Sequence, residues 1–273
     1  MEILSNFMMQ TVFSVGVISL FGLLLALGRK VFVGIAGNAG VKTLLVTGAL
    51  GTPVHELSHA LFCLLFGHKI TGISLYRPRA EDGTIGYVEH SYNPQNIYQQ
   101  IGNFFIGIAP ILGGSAVIFL LMRLLVPALF TDVLDELRAA SLIEFSLTDA
   151  SSYGAFFGLL WEITRAIFDF SNAGNWLWWL FIVLALVIAS HMELSGADLL
   201  GGLKGFVFVA LLLLAADAVM YFAARPAMET LTAFLSGFAA VMSGFLSVAV
   251  LFSWGMVLIA LLVRGICGLA RKG

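Results

Sequence analysis

Apolar residues run along this chain in long, nearly unbroken blocks, without the spacing of one hydrophobic face that a water-soluble helix or strand shows. Six blocks approach the roughly 20 residues that an unbroken helix needs to cross hydrocarbon: 7–27, 44–66, 104–126, 176–191, 203–223 and 241–263. The fourth is short, and Trp176, Trp178 and Trp179 at its start suggest an interfacial anchor. Residues 153–168 are apolar but carry Glu162 and Arg165; they read as a short span, a re-entrant helix or a helix lying in the interface. Residues 227–240 either begin a long final helix or form a separate short one. The pattern predicts an all-α polytopic membrane protein, with six to seven transmembrane helices in a single integral membrane domain over 1–273. Arg29, Lys30 and Lys42 would share a side with Arg264, Arg271 and Lys272 only with seven crossings, counting 153–168.

Two polar regions interrupt the blocks. Residues 67–98 are turn-rich. Within them Ile70–Tyr76 and Thr84–Val88 mix β-branched and polar residues around a charged turn ending in Asp82-Gly83, which predicts a β-hairpin over 70–88. Residues 131–152 hold Asp132, Asp135, Glu136, Arg138, Glu144 and Asp149, and predict an amphipathic helix in water or at the interface.

Composition agrees with this class. Only 11% of residues are charged, against about 25% in a typical soluble domain. Cys63 and Cys267 are too few to staple a fold. A net charge of -2 with no Lys/Arg cluster leaves nothing to track phosphates, so nucleic acid is not an expected partner. The first block follows no basic region and is trailed by Gly28-Arg29-Lys30, so it reads as a retained span rather than a signal peptide.

Scarcity of charge makes one segment conspicuous: Gly51-Thr52-Pro53-Val54-His55-Glu56-Leu57-Ser58-His59-Ala60, which contains an H-E-x-x-H. On a helix, residues four apart share a face, so His55 and His59 can offer two imidazoles to one ion. Glu56 then stands beside them, placed to take a proton from a water at that ion. Zinc suits neutral imidazole and tolerates an open position for water. The blander reading has two histidines bonded to neighbouring helices and a glutamate in an interhelical pair. Ionisable residues on a membrane helix are costly, which favours the functional reading. Pro53 suits a first helical turn, Thr52 would cap it, and the apolar run continues to Gly67.

On these residues the sequence resembles the site-2 protease family of intramembrane zinc metallopeptidases. In that family the motif lies in a membrane helix, a β-rich segment often follows, another span carries a proline-containing signature, and a later helix supplies an aspartate as third ligand. The order here is similar: motif, hairpin, then Ile106-Gly107-Ile108-Ala109-Pro110-Ile111-Leu112-Gly113-Gly114, although the signature's asparagine is absent. The resemblance covers 41–126 and 188–205.

A catalytic zinc needs a third protein ligand. Asp198, followed by small residues, resembles the family's aspartate segment, with Leu199-Leu200-Gly201 in place of an immediate glycine. His191 is the runner-up, sharing a face with Asp198 if the helix is continuous, and Glu193 follows. Elsewhere, His90 beside Glu89 reads as a water-facing pair and His68 as a cap on the motif helix. Asn103 would bond to the motif helix, assist a substrate carbonyl or serve structure alone. Glu162 and Arg165 would pair with each other. Asp217, deep in an apolar block, requires a partner or a water-filled cavity, and Lys204 is too far along the helix to serve. Gly113-Gly114 and Gly201-Gly202 would permit close helix contact.

The resemblance implies a peptidase with His55, His59 and Asp198 holding Zn2+ and Glu56 as general base, acting on membrane-embedded or membrane-proximal proteins within the lipid bilayer. An extended substrate strand would pair with the hairpin edge. Short loops fit a bacterial inner (plasma) membrane. The alternative is a non-catalytic membrane scaffold or protein-binding module of the same architecture; a metal or small-solute transporter is a third reading.

Overall fold

Gly37 decides the shape of the N-terminal part of the chain. α1 (Glu2–Thr11) runs through one π-helical turn (Val12–Gly16) into α2 (Val17–Leu65). A straight helix of these 49 residues would be about 75 Å long, far beyond the roughly 30 Å of hydrocarbon. At Gly37 the backbone takes φ 55° and ψ -135°, outside the helical region, and divides α2 into arms 17–36 and 38–65. That positive φ is open to glycine and strained for residues with a Cβ.

The computed structural model describes residues 2–79, 83–140 and 150–270. After α2 come β1 (Lys69–Ser74), β2 (Tyr87–Ser91), α3 (Ile97–Leu125), α4 (Pro127–Ala140), α5 (Ala150–Ile167), a 3-10 turn (Phe170–Gly174), α6 (Trp176–Ala189), α7 (Gly196–Ala223) and α8 (Arg225–Ala270). The chain is predominantly helical with one small antiparallel sheet, as the sequence predicts.

The number of spans differs from expectation. Among the described residues, four helical stretches are long and apolar enough to cross a membrane: Ile3–Leu65, Ile97–Leu125, Gly196–Ala223 and Arg225–Cys267. The count of six to seven drops to four stretches for three reasons. The blocks 7–27 and 44–66 are joined in one helical stretch and so count once, although they lie on the two arms either side of Gly37. The block 176–191 forms a helix of 14 residues, about 21 Å, too short to cross alone. Its Trp178 is buried in the core and donates from Nε1 to the Ile167 carbonyl, while Trp176 and Trp179 stay exposed. The region 153–168 falls in α5, whose Leu159, Ile163 and Ile167 face the core while Trp161 faces out. Glu162 and Arg165 do pair across one turn, at 3.6 Å. Residues 227–240 begin the long α8.

The charged insertion is helical through Ala140, its residues 141–149 lie outside the described residues, and 150–152 begin α5. Leu129, Val133 and Leu137 of α4 are buried, whereas Asp132, Asp135 and Arg138 are exposed.

The core gathers around α3, where Ile108, Ile111, Ile118 and Met122 are buried in one cluster with Phe181, Ile188, Met192 and Phe252. α8 runs parallel to the first helix, as successive contacts show: Asn6 with Met228, Gln10 with Thr232, and the Leu24 carbonyl with Trp254. Between them α7 brings Asp217, fully buried, to Gln10, whose Nε2 donates to Asp217 Oδ1 at 2.8 Å and to Thr232 Oγ1 at 3.0 Å. This is the partner that the sequence required for Asp217.

The hairpin is present with a shifted second strand. Lys69 pairs with Ser91, Ile70 with His90 and Ile73 with Val88, with an irregularity between Ile70 and Gly72. Residues 84–86 are not in the ladder. They lie against α2 instead, where a Cβ added to Gly86 would stand 2.6 Å from Thr52 Cγ2 and 2.9 Å from Glu56 Oε1.

Candidate metal centre

The second arm of α2 carries the motif without a start at Thr52. Pro53 sits inside the helix, and Thr52 is buried with its hydroxyl unpartnered among the described residues. The arm ends where Gly67 adopts φ 68° and the His68 N–H closes on the Cys63 carbonyl at 2.8 Å. The backbone of His68 thus terminates the helix, while its side chain bonds elsewhere.

Each motif imidazole is fixed by a backbone carbonyl from another element. His59 Nδ1–H donates to the Ile106 carbonyl of α3 at 2.8 Å. That oxygen lacks an intrahelical donor because the residue four positions on is Pro110, which has no N–H. His55 Nδ1–H donates to the His191 carbonyl, beyond the end of α6, also at 2.8 Å. Both Nε2 atoms are therefore left as acceptors, and they face each other 3.2 Å apart.

Asp198 completes the group. Its Oδ1 lies 3.2 Å from His59 Nε2 and its Oδ2 lies 3.9 Å from His55 Nε2. The local sequence explains this placement. Ser195 and Asp198 form a capping box at the start of α7: Ser195 N–H donates to Asp198 Oδ2 at 2.7 Å, and Asp198 N–H to Ser195 Oγ at 3.2 Å. α7 is pressed onto α3 at Gly107, where an added Cβ would come within 2.6 Å of the Asp198 carbonyl. His55, His59 and Asp198 can hold a metal ion, their ligand atoms all lying within 4.8 Å of one another.

The runner-up residues have other duties. α6 ends at Ala189 and α7 begins at Gly196, so His191 and Asp198 do not share a continuous helix. The Thr47 hydroxyl donates to the Thr43 carbonyl, which leaves its oxygen to accept from His191 Nε2–H at 2.9 Å. The ring is seated against Gly51, where a Cβ would approach within 2.4 Å. Burial, then the nearby Arg29, pushes His191 down to about 3, so it is a neutral donor. Glu193 forms an ion pair with Arg29; burial raises its carboxyl and Arg29 opposes the rise.

Glu56 is buried beside the group and meets two cavities. One, of about 500 Å3, is lined by His55, His59, Asp198, Tyr87, His90 and Asn103, among others. The other, of about 250 Å3, is lined by Arg29, Thr52, Glu193 and Ser195 together with His55 and Glu56. Asn103, buried, bonds weakly to Gln100 at 3.4 Å and faces the larger cavity. Gly202 makes a close contact with Gly107, whereas Gly201 has open space beside it and lines the cavity.

Two histidines depart from expectation. His90 is half-buried on β2, not a loop residue facing water, because the second strand runs over 87–91 and turns its side chain inward. His68 is buried, and its Nδ1 lies 3.0 Å from His90 Nδ1. All five histidines of the chain stand at this centre or in contact with a residue that lines it.

Compared with protein-family models, curated proteins and solved structures, the chain matches none. The resemblance to site-2 proteases therefore stands on the residues themselves.

Proposed function

We propose that this chain is a zinc-dependent intramembrane endopeptidase that hydrolyses peptide bonds of membrane-embedded or membrane-proximal proteins. The observation that carries the reading is the convergence of His55 Nε2, His59 Nε2 and the Asp198 carboxylate beside Glu56. Two imidazoles and a carboxylate are a donor set suited to zinc, and these three residues would hold it. When bound, Zn2+ polarises a carbonyl oxygen and lowers the pKa of a water.

The chain's own residues supply the rest. His55 and His59 present fixed tautomers, and three donors leave a fourth position open. Glu56 takes the proton of the attacking water and returns it to the leaving amine. The larger cavity runs under β2, whose edge suits an extended peptide added as a further strand. An apolar cavity of about 490 Å3, between the first helix, α3 and α7, also reaches Asp198 and suits a substrate arriving from the bilayer. The short loops accord with a bacterial inner membrane.

Exchange of Glu56 for Gln tests the reading. Terminal-peptide proteomics of cells carrying each form should show membrane proteins that are cut with the wild type and intact with the variant, while metal analysis finds one zinc in both. Identical cleavage patterns would remove the enzyme and favour the scaffold.

A further inference from the structure

The larger cavity is lined by further polar side chains besides His55, His59 and Asp198, among them His90. His68 Nε2–H donates to the Gln99 carbonyl at 2.8 Å, an oxygen that can only accept. In the neutral ring this leaves His68 Nδ1 as an acceptor. His90 Nδ1, 3.0 Å away, must then be the donor, so His90 carries its proton on Nδ1 and a lone pair on Nε2. Packing holds the pair: His68 is buried, and Tyr92 stacks on it with ring centres 5.0 Å apart. Burial lowers both imidazoles, which keeps the pair neutral. His90 lines the cavity together with His59, Glu56 and Asp198, and among the described residues its Nε2 is the one nitrogen of the pair without a protein partner.

The stretch of a bound peptide that leaves the β2 edge to reach the metal ligands crosses this cavity, where its main-chain N–H groups no longer face the ladder, and donors shut away from water need acceptors. We propose that His90 is a substrate-binding residue whose Nε2 accepts a hydrogen bond from a main-chain N–H of the bound peptide, with His68 as the positioning residue that fixes its tautomer. The proposal rests on the peptidase reading and adds to it a requirement for an unsubstituted amide at one position of the substrate.

The test is a binding cycle on the full-length, zinc-loaded protein in detergent micelles, read by calorimetry. The probes are a trialanyl hydroxamate, its analogues methylated singly at each backbone nitrogen, and acetohydroxamate, which reaches the ion alone. In the wild type, methylation at one nitrogen should weaken binding about fivefold. In His90→Phe the penalty at that nitrogen should vanish, with acetohydroxamate unaffected. An equal methylation penalty in both proteins, or none at any position in the wild type, overturns the role of His90 and leaves the metal reading standing. Failure of acetohydroxamate to bind the wild type removes the metal reading and this proposal with it. Should His90→Phe lose acetohydroxamate binding, His68→Phe takes its place: a reduced methylation penalty supports the proposal, and an undiminished one overturns it.

Discussion

Pro110 on α3 orients His59 on α2 through a carbonyl that belongs to neither. By lacking an N–H, the proline leaves Ile106 O open to the imidazole, which donates to it at 2.8 Å. Pro110→Ala restores an intrahelical donor that competes for that oxygen. Zinc affinity should fall by about 10–100-fold, as for the loss of other outer-shell partners, with helix content unchanged. Chelator competition and circular dichroism in micelles measure the two quantities.

Asp198→Asn separates the two duties of that carboxyl. The amide oxygen still accepts from Ser195 N–H, so α7 should start where it does now. The charge facing His59 is lost. Zinc binding should weaken by more than about 100-fold, beyond the outer-shell range, while the thermal midpoint of the metal-free protein hardly moves.

His191→Ala discriminates orientation from ligation. Because the ring bonds to Thr47 and the backbone oxygen serves His55, the variant should keep one zinc per chain with affinity reduced about tenfold. Loss of stoichiometric metal would instead make His191 a ligand.

Gln10→Leu strips fully buried Asp217 of its donor and should destabilise the protein by about 1–3 kcal/mol in denaturant unfolding in micelles. Adding Asp217→Leu should recover much of that loss, since removing both polar groups leaves no orphan. Additive losses would show that the pair is not coupled.

The chemistry of the motif was legible because His55 and His59 are four apart in a chain with little other charge, and helical geometry alone aligns them. Asp198 was reached through the resemblance, and the capping box that aims it needs only Ser195 three positions earlier. Other features depend on information that spacing does not contain. No spacing joins Gln10 to Asp217, which lies 207 positions away. His90 was misread because moving a strand boundary by a few residues changes which side chains face inward. The number of stretches is lower than the number of blocks because a hydropathy window records apolarity but not whether two blocks share one helical stretch, nor whether a helix ends after 14 residues. Pro110 was noticed for its resemblance, yet its effect lies in the carbonyl it liberates one turn earlier.

The capping box has a consequence for synthesis. His55 and His59 leave the ribosome long before Ser195 and Asp198, and the third donor takes its place only when the first turn of α7 has formed and docked at Gly107. Between those two points a nascent chain has two donors, too few to retain an ion firmly. On the proposed reading, metal capture is a late event, and the site is complete only after α7 is seated against α3.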